Sequence, residues 1–236
     1  MRRRVPLAVL AVVMLGTGAC GSGSDEKGEK GEGSVAAPSD APDDSACKEL
    51  LGDAGLKWLK DRTGAKARLK AEDDLKSARA LFYRQVENWG PEDSGVPTFL
   101  ESDVCSARTD VENSQKELAL RYGASTFPFD FRFDEKSDVG PAQTVTPVNS
   151  DVRLVHGKDA DGKAAYRVYV KCKIPGTPAK QENEIPIEGL MSDTLTGESS
   201  PRVRLTHLLN SAKVMAETFD CQNKPVVPAE PPASVT

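Results

Sequence analysis

Apolar residues recur along this chain with two distinct periods. Leu75, Ala78, Phe82, Val86 and Trp89 return every three or four positions, with Arg79 and Glu87 on other faces. That spacing predicts an amphipathic helix of about four to five turns. Glu72, Asp73 and Asp74 put negative charge at its start, and Gly90-Pro91 ends it. The helical period returns in Leu205, Leu208, Leu209, Ala212, Met215, Ala216 and Phe219. Ser199 or Ser200 supplies a cap for this helix and Pro201 suits its first turn. A weaker helical cluster, Leu50, Leu51, Ala54 and Trp58, follows Cys47. Gly52 and Gly55 interrupt it and Gly64 ends it, so it reads as a short helix or two successive helical turns.

Between the helices the period shortens to two, the spacing of a half-buried strand. Residues 98–107 read as extended, and Leu118, Leu120 and Tyr122 alternate. Phe127, Phe129, Phe131 and Phe133 form the clearest alternation and predict a strand with one face in the core. Pro128 puts it at an edge or a strand start. Val152, Leu154 and His156 alternate before a polar turn, residues 157–163. Tyr166, Val168, Val170, Cys172 and Ile174 then alternate with Arg167, Tyr169, Lys171 and Lys173. This predicts a β-hairpin whose second strand turns a basic face to solvent. Residues 175–200 read as irregular, with a short strand at Ile185-Pro186-Ile187. The order of elements predicts an α+β fold, a mainly antiparallel sheet with helices packed on one face.

The start of the chain carries a different signal. Arg2, Arg3 and Arg4 precede an uncharged apolar run from Val5 to Leu15, and Thr17-Gly18-Ala19-Cys20 follows. The run is too short to span a bilayer comfortably and reads as a secretory signal. Small residues ahead of a cysteine resemble the lipobox of bacterial lipoproteins, although Thr17 stands where an aliphatic residue is usual. The resemblance implies that Cys20 is diacylated on sulfur and becomes the new N-terminus. An ordinary signal peptide cleaved after Gly18 or Ala19 is the alternative. Removal of residues 1–19 leaves 217 of the 236 residues, and the loss of three arginines moves the formal charge from −5 to −8. An acidic chain repels phosphate backbones, so no nucleic-acid partner is expected. Residues 20–46 are polar and free of aromatics and read as a disordered tether. Residues 223–236 hold four prolines and read as a disordered tail. The folded domain is expected over residues 47–222.

Cys47, Cys105, Cys172 and Cys221 remain. An even count in an exported chain predicts two disulfides, and four cysteines allow three connectivities. Pairing Cys47–Cys105 and Cys172–Cys221 staples a helix end to a strand in each half; Cys47–Cys221 ties the two terminal helices together and stays open. Zinc is disfavoured because no Cys-x-x-Cys occurs and His156 and His207 lie far from any cysteine pair.

Catalytic patterns are sparse. His156 and His207, the only histidines, sit in no motif. Ser45-Ala46-Cys47-Lys48 matches Ser-x-x-Lys of penicillin-binding enzymes but lacks the companion motifs; a helix cap accounts for Ser45 better. Asp159-Ala160-Asp161-Gly162 resembles a fragment of a calcium loop. The twelfth position falls on Val170 instead of a glutamate, so a hairpin turn is the better reading. Asp130 and Glu135 are scattered acids that nothing clusters. The sequence therefore predicts no catalytic residue, no metal site and no cofactor. Lipid cysteine, polar tether, Cys47-Lys-Glu-Leu-Leu and late paired cysteines together resemble small surface lipoproteins of actinobacteria. That resemblance implies an extracytoplasmic protein held to the membrane through Cys20 and carries over no activity. The leading expectation is a non-enzymatic interaction module that meets an unknown cell-envelope protein or ligand. The alternatives are a small-molecule-binding lipoprotein serving a transporter and a cell-wall enzyme using scattered acids. A deep pocket with converging polar groups, as opposed to a flat surface, would discriminate among them.

Overall fold

Helix signals in the sequence are met locally. The Asp74 side chain accepts the Ser77 backbone N–H at 2.6 Å and caps α2, Leu75–Glu87. Ser200 accepts from the Val203 backbone and caps α4, Pro201–Thr218. The first helix, α1, covers Ser45–Thr63 and kinks at Gly52, whose φ of 58° is the left-handed conformation that glycine tolerates. Gly64 caps its end. The computed structural model describes residues 44–64, 67–91, 98–109, 116–134, 140–159 and 161–236. The signal sequence, Cys20, tether residues 20–43 and Glu135 lie outside the described residues.

Among the described residues seven strands form one antiparallel sheet. They are β1 (Ala67–Lys70), β2 (Glu101–Thr109), β3 (Glu117–Ala124), β4 (Thr144–Pro147), β5 (Val152–Lys158), β6 (Ala164–Val170) and β7 (Ile187–Asp193). A one-turn helix, α3 (Gln181–Glu184), precedes β7. The order across the sheet is β1-β2-β3-β7-β6-β5-β4. Two three-stranded meanders thus flank β7, which pairs antiparallel with β3 on one side and β6 on the other. Helices α1, α2 and α4 cover one face, where Leu50, Phe82, Leu120, Tyr122, Leu154, Val168, Met191, Leu205 and Phe219 share a core. The expected α+β architecture is the observed one.

Both disulfides tie helix ends to the sheet. Cys47 on α1 bonds Cys105 on β2, and Cys172, just past β6, bonds Cys221, just past α4. The Cys47–Cys221 alternative is thereby excluded. The second bridge closes a 49-residue separation and stabilises by about 4 kcal/mol through loss of denatured-chain entropy.

The structure corrects four expectations. The Phe127–Phe133 row is no strand. Pro128 lacks an N–H, and its carbonyl accepts the Phe131 N–H at 3.0 Å in a turn, so the rings gather in one cluster instead of alternating. The segment around residues 171–174 leaves the sheet at Val170, and the outward face of β6 is covered: Tyr169 is fully buried. The span expected to be irregular contains β7, the central strand. Its sequence, Ile-Glu-Gly-Leu-Met-Ser-Asp, is poor in β-branched residues, and its strand character comes from pairing on both sides. Finally, residues 223–236 pack on the domain. Asn223 bonds the backbone of Lys171 and Lys173, Asn149 donates to the Val226 carbonyl, Arg202 donates to that of Pro232, and Val227 and Val235 are buried. Proline-rich chain needs no ladder partners, and these side-chain bonds hold it. The folded part accordingly begins before residue 47, at the first turn of α1, and continues into the tail.

Of the glycines in the described strands, Gly189 has the closest-packed surroundings. A Cβ built there would run into Cε1 of the Tyr122 ring, so only glycine lets that ring lie across β7 while β3 and β7 pair. Gly189→Ala is expected to lower stability by about 1–3 kcal/mol through overpacking, read as a lower urea midpoint at unchanged slope. An unchanged midpoint contradicts this account of the central strand.

Candidate functional site

Strand alternation sends one set of side chains from β5, β6 and β7 away from the helices: Arg153 and Val155, Arg167 and Tyr169, Glu188 and Leu190. Three of these are charged, yet they are largely covered, because residues 125–134 fold across them. Glu188 lies at the centre. Its carboxylate accepts the Tyr169 hydroxyl at 3.1 Å and the Ser125 hydroxyl at 3.0 Å, and the Arg167 Nε stands at 3.2 Å. Burial raises the Glu188 carboxyl above its usual range, while Arg167 pulls it down. Burial raises the Tyr169 phenol well above its ordinary value.

Arg153 is 5% exposed. Its two terminal nitrogens donate to the carbonyls of Phe131 and Pro128 at 2.8 and 3.1 Å, which pins the aromatic segment to β5. Its guanidinium carbon lies 4.7 Å from the Tyr169 ring centroid and about as near those of Phe129 and Phe133, at 5.4 and 5.5 Å. Cation–π attraction replaces part of the lost hydration. Burial lowers its affinity for the proton, and Tyr169, Asp130 and Glu188 oppose that shift. Beside it opens a cleft of about 450 Å³ lined by Phe131, Phe133, Val145, Gln143 and Arg153.

The residues singled out from sequence lie elsewhere and do not converge. Cys47, Cys105, Cys172 and Cys221 are spent in disulfides. Ser45 is the first residue of α1 and the N-cap position falls to Asp44, which makes no side-chain cap bond, so the cap expected of Ser45 is corrected by one residue. Asp159 accepts backbone N–H bonds from Asp161 and Lys163, as a hairpin turn should. No group of three or more metal-ligating side chains occurs among the described residues. His156 sits beside Tyr166, its Nδ1 buried without a hydrogen bond, and burial lowers its pKa.

His207 belongs to a structural cluster joining α1 and α4. Its ring stacks on Trp58 at 4.5 Å. The Glu198 carboxylate next to it accepts backbone N–H bonds from Ser199 and Ser200 at 2.9 and 3.0 Å, the Trp58 indole N–H at 3.4 Å, and an Arg62 ion pair. The Ser200 N–H and its companions hold the Glu198 carboxyl below its usual range. Burial lowers the His207 pKa, against the pull of Glu198.

Sequence reasoning missed Glu188, Arg153 and Arg167 as a set. The available signal was a glutamate inside an otherwise apolar run, Ile185-Pro186-Ile187-Glu188-Gly189-Leu190, and a second was the tyrosine among the basic residues of β6.

The histidine shifts fix a sign for pH dependence. A histidine whose folded pKa is depressed stabilises the fold in its neutral form; that contribution is complete above the unfolded value of about 6.5 and is lost as pH falls toward the folded value. Stability is therefore expected to decline on acidification below about pH 6.5, before the Glu198 contribution goes at lower pH. His207→Phe, which keeps a ring against Trp58, should flatten the first part of that decline in urea titrations at a series of pH values. An identical pH profile in the variant contradicts the assignment.

Comparison of the chain with protein-family models, with curated proteins and with solved structures found no match, so the functional argument rests on the geometry above.

Proposed function

We propose that this protein is a lipid-anchored, extracytoplasmic module that works by contact and not by catalysis. The observation that carries the reading is the half of the helix-free face that no other described segment covers. Over β1, β2 and β3 it presents Arg68, Lys70, Glu101, Asp103, Arg108, Glu117 and Arg121 as a charge-laced sheet, and Glu117 and Arg121 also border a cleft of about 530 Å³ that continues over Arg167 and Leu190 to Asp159 and Asp161. Arg108 pairs with Glu117 at 2.7 Å, and Arg121 reaches Glu101 and Asp103 at 3.4 and 3.5 Å. Exposed pairs of this kind add little to folding, whereas a patterned charge surface gives a partner orientation and specificity. The four described cysteines are meanwhile engaged in disulfides, His207 stacks on Trp58 and Ser125 donates to Glu188. The arginine n-region, the apolar run and the small residues before Cys20 support the anchor, and a diacyl anchor holds a chain stably where a single acyl chain does not.

Two measurements test the two parts. Cys20→Ala is expected to block processing or release the protein from the membrane fraction, with acyl mass on the wild-type mature N-terminus; membrane retention without acyl mass overturns the anchor. Photo-crosslinkers placed at Ser106 and Ala119, in the middle of the exposed half, are expected to capture one reproducible envelope component that the double variant Arg108→Glu, Arg121→Glu loses. Equal capture by the variant, or capture only from helix-side positions, overturns the contact surface.

A further inference from the structure

We infer that the cleft beside Arg153 is a binding site for a small carboxylate with an apolar, preferably aromatic, body. The inference is independent of the charged half-face and of the anchor. The cleft holds about 450 Å³, within the range of small-molecule pockets. Its lining combines apolar surface with charges of both signs, Arg132 and Arg153 against Asp130 and Asp134. Phe131, Phe133 and Val145 offer apolar surface, and Val145 is among the few large apolar side chains left exposed, at 37%. Arg153 offers a desolvated cation. No carboxylate among the described residues makes an ion pair with Arg153, because Glu188 is occupied by Arg167, Tyr169 and Ser125. Asp130 acts on it only through space.

The terminal nitrogens of Arg153 hold two backbone carbonyls, and the Nε–H is buried with no acceptor. Burying a cation that no described carboxylate contacts directly is costly even with Glu188 and Asp130 acting on it through space, and an orphaned N–H adds to that cost. Cation–π contacts with three rings offset only part of it. A carboxylate entering from the cleft mouth completes the site: it compensates the charge and accepts from the guanidinium, while its hydrocarbon body lies against Phe131, Phe133 and Val145. Asp130 and Asp134 share the lining with Arg132 and Arg153, and this balance of two acids and two cations disfavours ligands carrying several negative charges.

Benzoate titrated into the purified mature domain, followed by amide NMR and calorimetry, tests this. Saturable binding is expected, with shifts concentrated at Gln143, Val145 and Phe133, and benzamide is expected to bind at least about tenfold more weakly, the worth of one charge-assisted hydrogen bond. Arg153→Met should abolish binding. Because Arg153 also pins the aromatic segment, Val145→Trp serves as the second variant; it fills the cleft from an exposed position and should abolish binding at unchanged thermal midpoint. Absence of saturation, shifts mapping to another surface, equal affinity for benzamide, or binding undiminished in folded Val145→Trp each overturns the proposal.

Discussion

The contact on which the rest of the fold depends is the Tyr122 ring lying over Gly189. Tyr122 is fully buried on β3 and reaches across β7, where the missing side chain leaves room for it. Its hydroxyl then meets the Ser211 hydroxyl at 2.6 Å on α4. Burial raises its pKa, so it remains a neutral phenol across the ordinary pH range. One side chain thereby joins the first meander, the central strand and the last helix. Without β7 the two meanders have no shared ladder, and each alone is a three-stranded sheet at the margin of independent stability.

From that joint follows the division of labour between the two faces. The helices occupy one side, stapled at Cys47–Cys105 and Cys172–Cys221, and a buried Asp193–Arg204 pair at 2.9 Å ties β7 to α4 there. The opposite side has no helix. Over the Arg153, Tyr169 and Glu188 end of β5, β6 and β7 it is roofed by residues 125–134, held down by Arg153. Over β1, β2 and β3 it is open and charged. A sheet backed by helices on one side can present the other for recognition, and the proposed contact surface and the cleft beside Arg153 both lie on that side.

The sequence disclosed the elements whose signals are local. Asp74, Ser200, Pro201 and Gly64 act within one turn of themselves, so the helices were legible at their ends as well as their middles. The presence of two disulfides was legible in the even cysteine count, but their pairing was not, because Cys47–Cys221 stayed open until the structure set Cys47 against β2. What stayed hidden depends on distant partners. β7 carries no alternation of its own and becomes a strand because β3 and β6 flank it. The phenylalanine row has the period of a strand but is turned by Pro128 and captured by Arg153, which lies 22 positions from its hydrogen-bond acceptor Phe131. The basic side of β6 was read as solvated because nothing near it in sequence announces the roof. The packed tail was hidden for the same reason: Asn149, Asn223 and Arg202 hold it from other elements.

Native-state hydrogen exchange tests the central claim most directly. If Tyr122 over Gly189 makes one continuous sheet, the amides of Leu120, Met191 and Val168, on β3, β7 and β6, exchange only through global unfolding and share one free energy, matched by denaturant titration. Exchange of β7 by a lower-energy opening, with β3 or β6 still protected, would mean that the two meanders are separable units and that the helix-free face is not a single rigid surface.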